Sequence, residues 1–338
     1  MTQNFEFDIQ QTIDALQDTK KPLPVRYLYR LSDLNDADFE RVTAIWSELP
    51  AWRRLGLMED ITELSNNDML LSYERLCCYA TLDEDPKVRM SAVEALHVYE
   101  DEEHIPLLLN LLISDSDERV RAAAATALGI FVWLGEIEEI SQTTLTRIEN
   151  LLLKTACSAE PGIVRRSALE SLGYSSRDEV PDLITEAYNS EDQEWISSAL
   201  FAMGRSADEK WHPLVLSNLE NEDPCLRIQA VRAAGELDIK EASPILIELL
   251  DDPEKEIRSA SVWSLSQIGG ADLYDLMEGL YDDAEDEDER AMLESAMDNL
   301  SFNMEIQSLS LMDYLPADED SFSENFEIDF DDDEDLEV

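Results

Sequence analysis

One phrase recurs along this chain at a near-constant step: a turn holding Asp or Pro, an apolar residue, Arg, two variable residues, Ala, three more, then an apolar residue and often Gly. It reads Asp85-Pro86-Lys87-Val88-Arg89 with Ala92 and Leu96, then Asp117-Glu118-Arg119-Val120-Arg121 with Ala124, Leu128 and Gly129. It returns as Pro161-Gly162-Ile163-Val164-Arg165 with Ala168, Leu172 and Gly173, and as Asp223-Pro224-Cys225-Leu226-Arg227 with Ala230, Ala234 and Gly235. Another copy has Ile196 in place of Arg but keeps Ala199, Met203 and Gly204. A further copy puts Arg258 after Pro253, and a worn one sets Arg290 ahead of Leu293 and Met297. The Arg slot therefore falls at 89, 121, 165, 196, 227, 258 and 290, in steps of 32, 44, 31, 31, 31 and 32.

Apolar residues three or four apart make each phrase an amphipathic helix. Asp or Pro ahead of it supplies N-cap and first-turn chemistry, and the Gly behind it is expected to form a left-handed C-cap. A second apolar run precedes the phrase, opened in four copies by Pro106, Pro181, Pro213 and Pro244. Two helices and two turns fill the step. A single hairpin cannot bury both of its apolar faces, so consecutive hairpins must stack.

The Pro-led first helix and the Asp-Pro-x-Val-Arg-x-x-Ala-x-x-x-Leu-Gly second helix resemble HEAT repeats, and the short period resembles the phycobilisome-lyase-like branch. The resemblance covers about residues 67–300. It implies an all-α, right-handed α-solenoid whose second helices line a concave face. It also implies that Arg89, Arg121, Arg165, Arg227 and Arg258 form a structural ladder with Asp residues of neighbouring repeats. On that basis Ile196 breaks the ladder, and the interface between the third and fourth repeats lacks its ion pair. The resemblance says little about activity, because this repeat serves many scaffolds. The activity its branch suggests is that of a bilin lyase, or of a chaperone acting on a bilin-binding protein.

Three segments are expected: an N-terminal helical cap (1–66), a solenoid of about seven repeats (67–302) and an acidic, disordered tail (303–338). In the cap, helices are readable at 8–18, 24–31, 36–49 and 51–64, with Pro22, Pro24 and Pro50 as breakers. Trp46 and Trp52 are expected to fill the space between two of them. This module is similar to those on acidic bacterial HEAT-repeat proteins without an assigned activity. The 44-residue step predicts extra residues within 130–160, as a lengthened helix and a bulging loop.

Charge narrows the partners. The chain carries 77 Asp and Glu against 25 Lys and Arg, for a net of −52. No base follows Arg290, yet the body before it remains acidic. Phosphate backbones and anionic membranes repel such a surface, which excludes nucleic acid and lipid as electrostatic partners. A basic protein or peptide, or a partner without charge preference, remains. A monomer in the cytoplasm is expected: the start lacks a basic and apolar leader, and the run Ala127–Leu134 is too short to span a bilayer.

Chemistry is hard to find. Cys77, Cys78, Cys157 and Cys225 lack metal or redox spacing and read as small buried residues. The three histidines form no ligand pattern, and no nucleophile elbow or phosphate loop occurs. No catalytic residue, metal or cofactor is expected. A non-enzymatic scaffold binding a protein or peptide is the reading the residues support, and its surface is sought on the second helices. Positions one and five after the Arg slot lay Arg166, Phe201, Arg232 and Trp263 along one stripe. Aromatic residues with Arg suit a binding hot spot; Phe201 and Trp263 would also suit packing between repeats. In the tail, Phe322, Phe326, Ile328 and Phe330 alternate with acids, as in a short interaction motif or a solubilising segment with incidental aromatics.

Overall fold

The computed structural model describes residues 8–68, 70–270, 272–284 and 286–313, and every regular element among them is helical. Two compact units divide the chain, at Ile268 and Gly269. In the first unit α1 (Ile9–Gln17), α2 (Val25–Tyr29), α3 (Asp36–Trp46) and α4 (Ala51–Asn67) precede six hairpins. These pair α5 (Glu74–Ala80) with α6 (Pro86–Ala95), α7 (Ile105–Ser114) with α8 (Glu118–Glu136), and α9 (Gln142–Ala156) with α10 (Gly162–Leu172). They continue with α11 (Val180–Tyr188) and α12 (Gln193–Arg205), α13 (His212–Asn218) and α14 (Pro224–Glu236), and α15 (Ser243–Glu248) and α16 (Lys255–Ile268). The second unit holds one hairpin, α17 (Leu273–Asp283) and α18 (Glu287–Asp313). Helix α18 runs past the compositional change near Asn303; Phe322, Phe326, Ile328 and Phe330 lie outside the described residues.

Local chemistry sets the boundaries. Asp85, Asp117, Asp192 and Asp223 each cap a second helix, accepting a hydrogen bond from the N–H two residues on. The first helices α7, α11, α13 and α15 carry Pro in their first turn, where its missing N–H leaves no bond unmade. Second helices stack in an unbroken series, α4 on α6, α6 on α8 and so on to α16, and each first helix packs on its own partner. Adjacent first helices make no comparable contact.

The glycines do something other than cap. Gly129, Gly173, Gly204 and Gly235 do not have left-handed backbone. They sit where the next second helix presses in. A Cβ on Gly235 would stand 2.7 Å from the Cα of Ser264, and one on Gly204 would stand 2.9 Å from the Cα of Ala233. On Gly173 it would meet the Ala202 carbonyl at 2.9 Å, and on Gly129 the Ser171 hydroxyl at 3.0 Å. Residues 171, 202, 233 and 264 are equivalent, so the glycines set a fixed register between successive helices. The left-handed residues that follow the helices are Glu138, Ala207 and Asp238, three positions past Gly135, Gly204 and Gly235.

The extra residues of the long step also differ from expectation. They do not bulge as a loop. They extend α8 through Ile130-Phe131-Val132-Trp133-Leu134 to Glu136 and lengthen α9 to fifteen residues. Phe131, Val132 and Leu134 are buried, and Gly135 lets Leu145 of α9 close against α8, so burial carries the helix through Gly129.

At the N-terminus one apolar cluster runs from Ile9 to Leu96, joining the cap to the first repeat. Trp46 is buried in it, edge-on to Tyr79 at 5.9 Å. Trp52 is 56% exposed and does not pack between helices; Arg53 stacks on its ring instead. Of the four cysteines only Cys77 is buried, where burial pushes its thiol well up. Cys157 and Cys225 are exposed because they sit at helix ends.

Candidate functional site

The Arg slot organises the joints between repeats. One amino group of Arg89, Arg121, Arg227 and Arg258 donates to the carbonyl six residues back: Asp83 at 2.8 Å, Asp115 at 2.8 Å, Asn221 at 2.5 Å and Asp252 at 2.7 Å. The other edge of the guanidinium reaches a carboxylate in the next repeat's turn. Arg89 holds both oxygens of Asp115 at 2.8 Å, Arg121 holds Glu160 at 2.9 and 3.1 Å, and Arg227 holds Asp252 at 2.9 and 3.3 Å. Glu160, the partner of Arg121, stands directly before Pro161; the partner of Arg89 is not the capping Asp117 but Asp115, two positions earlier. Asp83 and Asp115 each also accept the N–H two residues on, from Asp85 and from Asp117. Burial pushes the Asp115 carboxyl up, but Arg89 and the Asp117 N–H outweigh it and hold it below its ordinary value.

The ladder starts earlier than the sequence phrase shows. Arg54 of α4 donates to the Leu49 carbonyl at 2.7 Å and pairs with Asp83 at 2.8 and 3.0 Å; the two side chains are only 3% and 1% exposed. Asp83 also accepts the Trp46 indole N–H at 2.6 Å. Arg54 thus fills the Arg slot on α4, the helix that stacks on α6, 35 residues ahead of Arg89.

Not every slot carries an ion pair: among the described residues Arg258 meets only the carbonyls of Asp252 and Pro253 and no carboxylate. Ile196 has no charge to offer, and the turn position facing Arg165 is Ser190 rather than Asp. Arg165 turns away, donating from Nε to the Ala156 carbonyl at 2.9 Å and stacking 4.9 Å over Trp195; among the described residues no carboxylate pairs with it. The expected break between the third and fourth repeats therefore lies at Ser190, and Ile196 extends it by one joint.

On the second-helix face, Phe201, Arg232 and Trp263 line one groove of about 590 Å³ with Glu236, Lys255, Glu256, Ser259 and Ala260. The three occupy the same position on α12, α14 and α16, 31 residues apart. Trp263 is 40% exposed. Arg166 is not with them: it pairs with Glu194 at 2.8 Å beside Trp195. Arg205 holds the upper end of the stripe, its guanidinium 4.1 Å from the Phe201 ring and 4.6 Å from that of Tyr174. Sequence reasoning missed it because it follows the glycine, outside the two positions considered. A second groove, of about 480 Å³, includes Glu94, Thr126, His97, Tyr174 and Arg205. Among the described residues no cluster of His, Cys, Asp and Glu could hold a metal ion, and no helix is long and apolar enough to cross a membrane.

One buried and one half-buried carboxyl make stability depend on pH. Burial pushes Glu170 above its ordinary value of 4.5, against the Ser198 hydroxyl donating to it at 2.5 Å and the charges of Arg205 and Arg166. Burial does the same to Glu149, against the Ser175 hydroxyl at 2.5 Å and Arg177 at 3.7 Å. The folded chain then keeps protons that the unfolded chain releases. The contribution of each is lost as pH rises from 4.5 through the raised folded value. Glu170→Gln, which keeps the acceptor for Ser198, is expected to raise the thermal midpoint at neutral pH and to match wild type near pH 4.5. A constant offset at both pH values would contradict this.

The family match agrees with the hairpin geometry. Residues 74–148 and 212–298 match the family model described as HEAT repeats. No curated protein matches the chain. Among solved structures it is similar to E. coli YibA, at 17% identity and a TM-score of 0.39, covering 73% of this chain and 96% of that one. It is also similar to the CpcE–CpcF complex of phycocyanin lyase from Nostoc sp., at 17% identity and a TM-score of 0.46, covering 67% and 94%. Human deoxyhypusine hydroxylase aligns at 19% identity and a TM-score of 0.34, covering 77% and 95%. Stacked hairpins joined through an Arg ladder accompany this match, and residues 74–148 and 212–298 are HEAT repeats.

Proposed function

We propose that this chain is a non-catalytic scaffold that holds a peptide segment of a protein partner in the groove of α12, α14 and α16. The observation that carries the reading is the convergence of Phe201, Arg232 and Trp263, one from each of three successive repeats, on a single groove. Phe201 and Trp263 offer rigid aromatic surface for an apolar anchor, and Arg232 offers donors for the peptide's carbonyl groups. Glu236 and Glu256 on the same groove, and the acidic body around it, favour a peptide with basic flanks. The sequence around Phe322, Phe326, Ile328 and Phe330 offers a second contact of acidic-aromatic type.

Affinity purification with wild type and with Trp263→Ala and Arg232→Ala tests the groove. A hot-spot tryptophan lost from a peptide site weakens binding by about 2 kcal/mol, or roughly thirtyfold. A partner recovered by wild type and lost or strongly depleted with Trp263→Ala supports the reading. The same partners in the same amounts from both variants contradict it. Removing residues 314–338 in a parallel arm tests the second contact separately.

A further inference from the structure

The joint between the third and fourth repeats differs from its neighbours in a way that leaves a guanidinium edge facing a cavity. At the first, second and fifth repeats the bidentate edge of the slot arginine is closed by a carboxylate from the following turn: Asp115, Glu160 and Asp252. At the third, that turn position is Ser190, whose short hydroxyl accepts the N–H of Asp192 at 3.3 Å, while its Oγ also bonds the Asp192 carbonyl at 3.2 Å. The turn itself is conserved in form; only the carboxylate is missing. Arg165 keeps its Nε on the Ala156 carbonyl, and its plane is held over Trp195. Its two terminal amino groups are left without a partner among the described residues. They border a pocket of about 510 Å³ walled by Ala156, Leu169, Leu183, Ala187 and the Trp195 ring.

We infer that this pocket is a binding site for a single carboxylate carried on an apolar body, which pairs with the two terminal amino groups of Arg165, its Nε being held by the Ala156 carbonyl. The chemistry follows from the parts. A planar guanidinium fixed by stacking is preorganised for two parallel hydrogen bonds to a carboxylate. The aliphatic and indole walls require an apolar group beside it, and the volume lies in the range of small-ligand sites. Glu186, on the same wall, selects against a second negative charge. Cys157 also lines the pocket but is not needed for recognition. These residues are separate from Phe201, Arg232 and Trp263, so the two sites stand or fall independently.

The carboxylate could belong to an acidic side chain of a peptide or to a free organic acid, and calorimetry on the full chain distinguishes them. The probes are N-acetyl-Phe-Glu-Phe-amide, its Gln analogue and 3-phenylpropanoate. Binding of the Glu peptide alone assigns a peptide source, and binding of 3-phenylpropanoate alone or as well assigns the free acid. The Gln analogue is expected to bind at least about tenfold more weakly than the Glu peptide, the loss of a charge-assisted pair. The deciding variant is Ser190→Asp, which supplies the missing rung from within the chain. It is expected to raise the thermal midpoint and to weaken the bound probe about tenfold or more, so loss of binding coincides with a gain in stability. Arg165→Met is expected to abolish binding. Failure of both carboxylate probes to bind, equal binding of the Gln peptide, or undiminished binding by Ser190→Asp would each overturn the inference.

Discussion

Asp83→Ala is expected to cost the first unit about 3–5 kcal/mol, the largest loss of any single polar change. The carboxylate stands at the centre of a buried network. It receives the Trp46 indole at 2.6 Å and the Asp85 N–H at 2.8 Å, and it pairs with Arg54 through one hydrogen bond at 3.0 Å and a charge contact with Nε at 2.8 Å. Removing it leaves a guanidinium with 3% of its side chain exposed only the exposed Glu84 carboxylate at 3.1 Å and the Leu49 carbonyl, and a buried charge that loses its buried partner costs far more than an exposed pair does. Arg54→Ala should be comparably harmful, since Asp83 is then the stranded partner. The double change to Ala should cost clearly less than the sum of the two, because neither charge is left behind. Urea unfolding followed by far-ultraviolet circular dichroism measures this. Full additivity would mean that the two groups do not share an interaction. Arg119→Ala, which removes the exposed partner of Asp117 and leaves that residue's cap of α8 in place, is the contrast: its effect on stability should be small.

Gly235→Ala is expected to destabilise by about 1–3 kcal/mol, although alanine is the better helix former. The added methyl would meet the Cα of Ser264 at 2.7 Å and its Cβ at 2.9 Å. Backbone of α16 must move to admit it, and that movement breaks the register shared by every joint. Gly56 is the matched control, because it lies within α4 and a Cβ there meets nothing within 4 Å. Gly56→Ala should stabilise by about 0.5–1 kcal/mol through helix propensity alone. Equal effects from the two substitutions would show that the close approach at Gly235 is not what fixes that glycine.

Much of the repeat architecture was legible in the sequence because helix period, capping and stacking all act through local residues. The Arg slots at 89, 121, 227 and 258, the Asp caps and the Pro-led first helices are where the spacing places them. What the phrase could not reveal was tertiary. The Arg slot begins at Arg54, but Pro50-Ala51-Trp52-Arg53 does not repeat the Asp-Pro phrase, so only the 35-residue step to Arg89 marked it. The glycines looked like C-caps because cap and close approach select the same residue, and only the neighbouring helix decides between them. The apolar run 130–134 carried α8 onward because burying Phe131, Val132 and Leu134 outweighs a glycine in the middle of the helix.

The candidate groove was legible to a similar degree. The position five residues after the slot brings Phe201, Arg232 and Trp263 into one groove and Glu94 and Thr126 into the other. Position one placed Arg166 beside them on paper, but Glu194 at the start of α12 draws its guanidinium away. Arg205, stacked between Tyr174 and Phe201, was invisible to a rule based on the phrase. Ser190 carried the clearest signal that went unread. Its position six residues before Ile196 is the one occupied by Asp83, Asp115 and Asp252 ahead of their own arginines.

Amide hydrogen exchange on Gly235→Ala against wild type tests most directly whether these repeats hold one another up in series. Nearest-neighbour stacking predicts that protection falls in α12, α14 and α16 while α4, α6 and α8 keep theirs. An equal loss of protection in α4, α6 and α8 would contradict that, and with it the account of the unit as a chain of mutually braced hairpins.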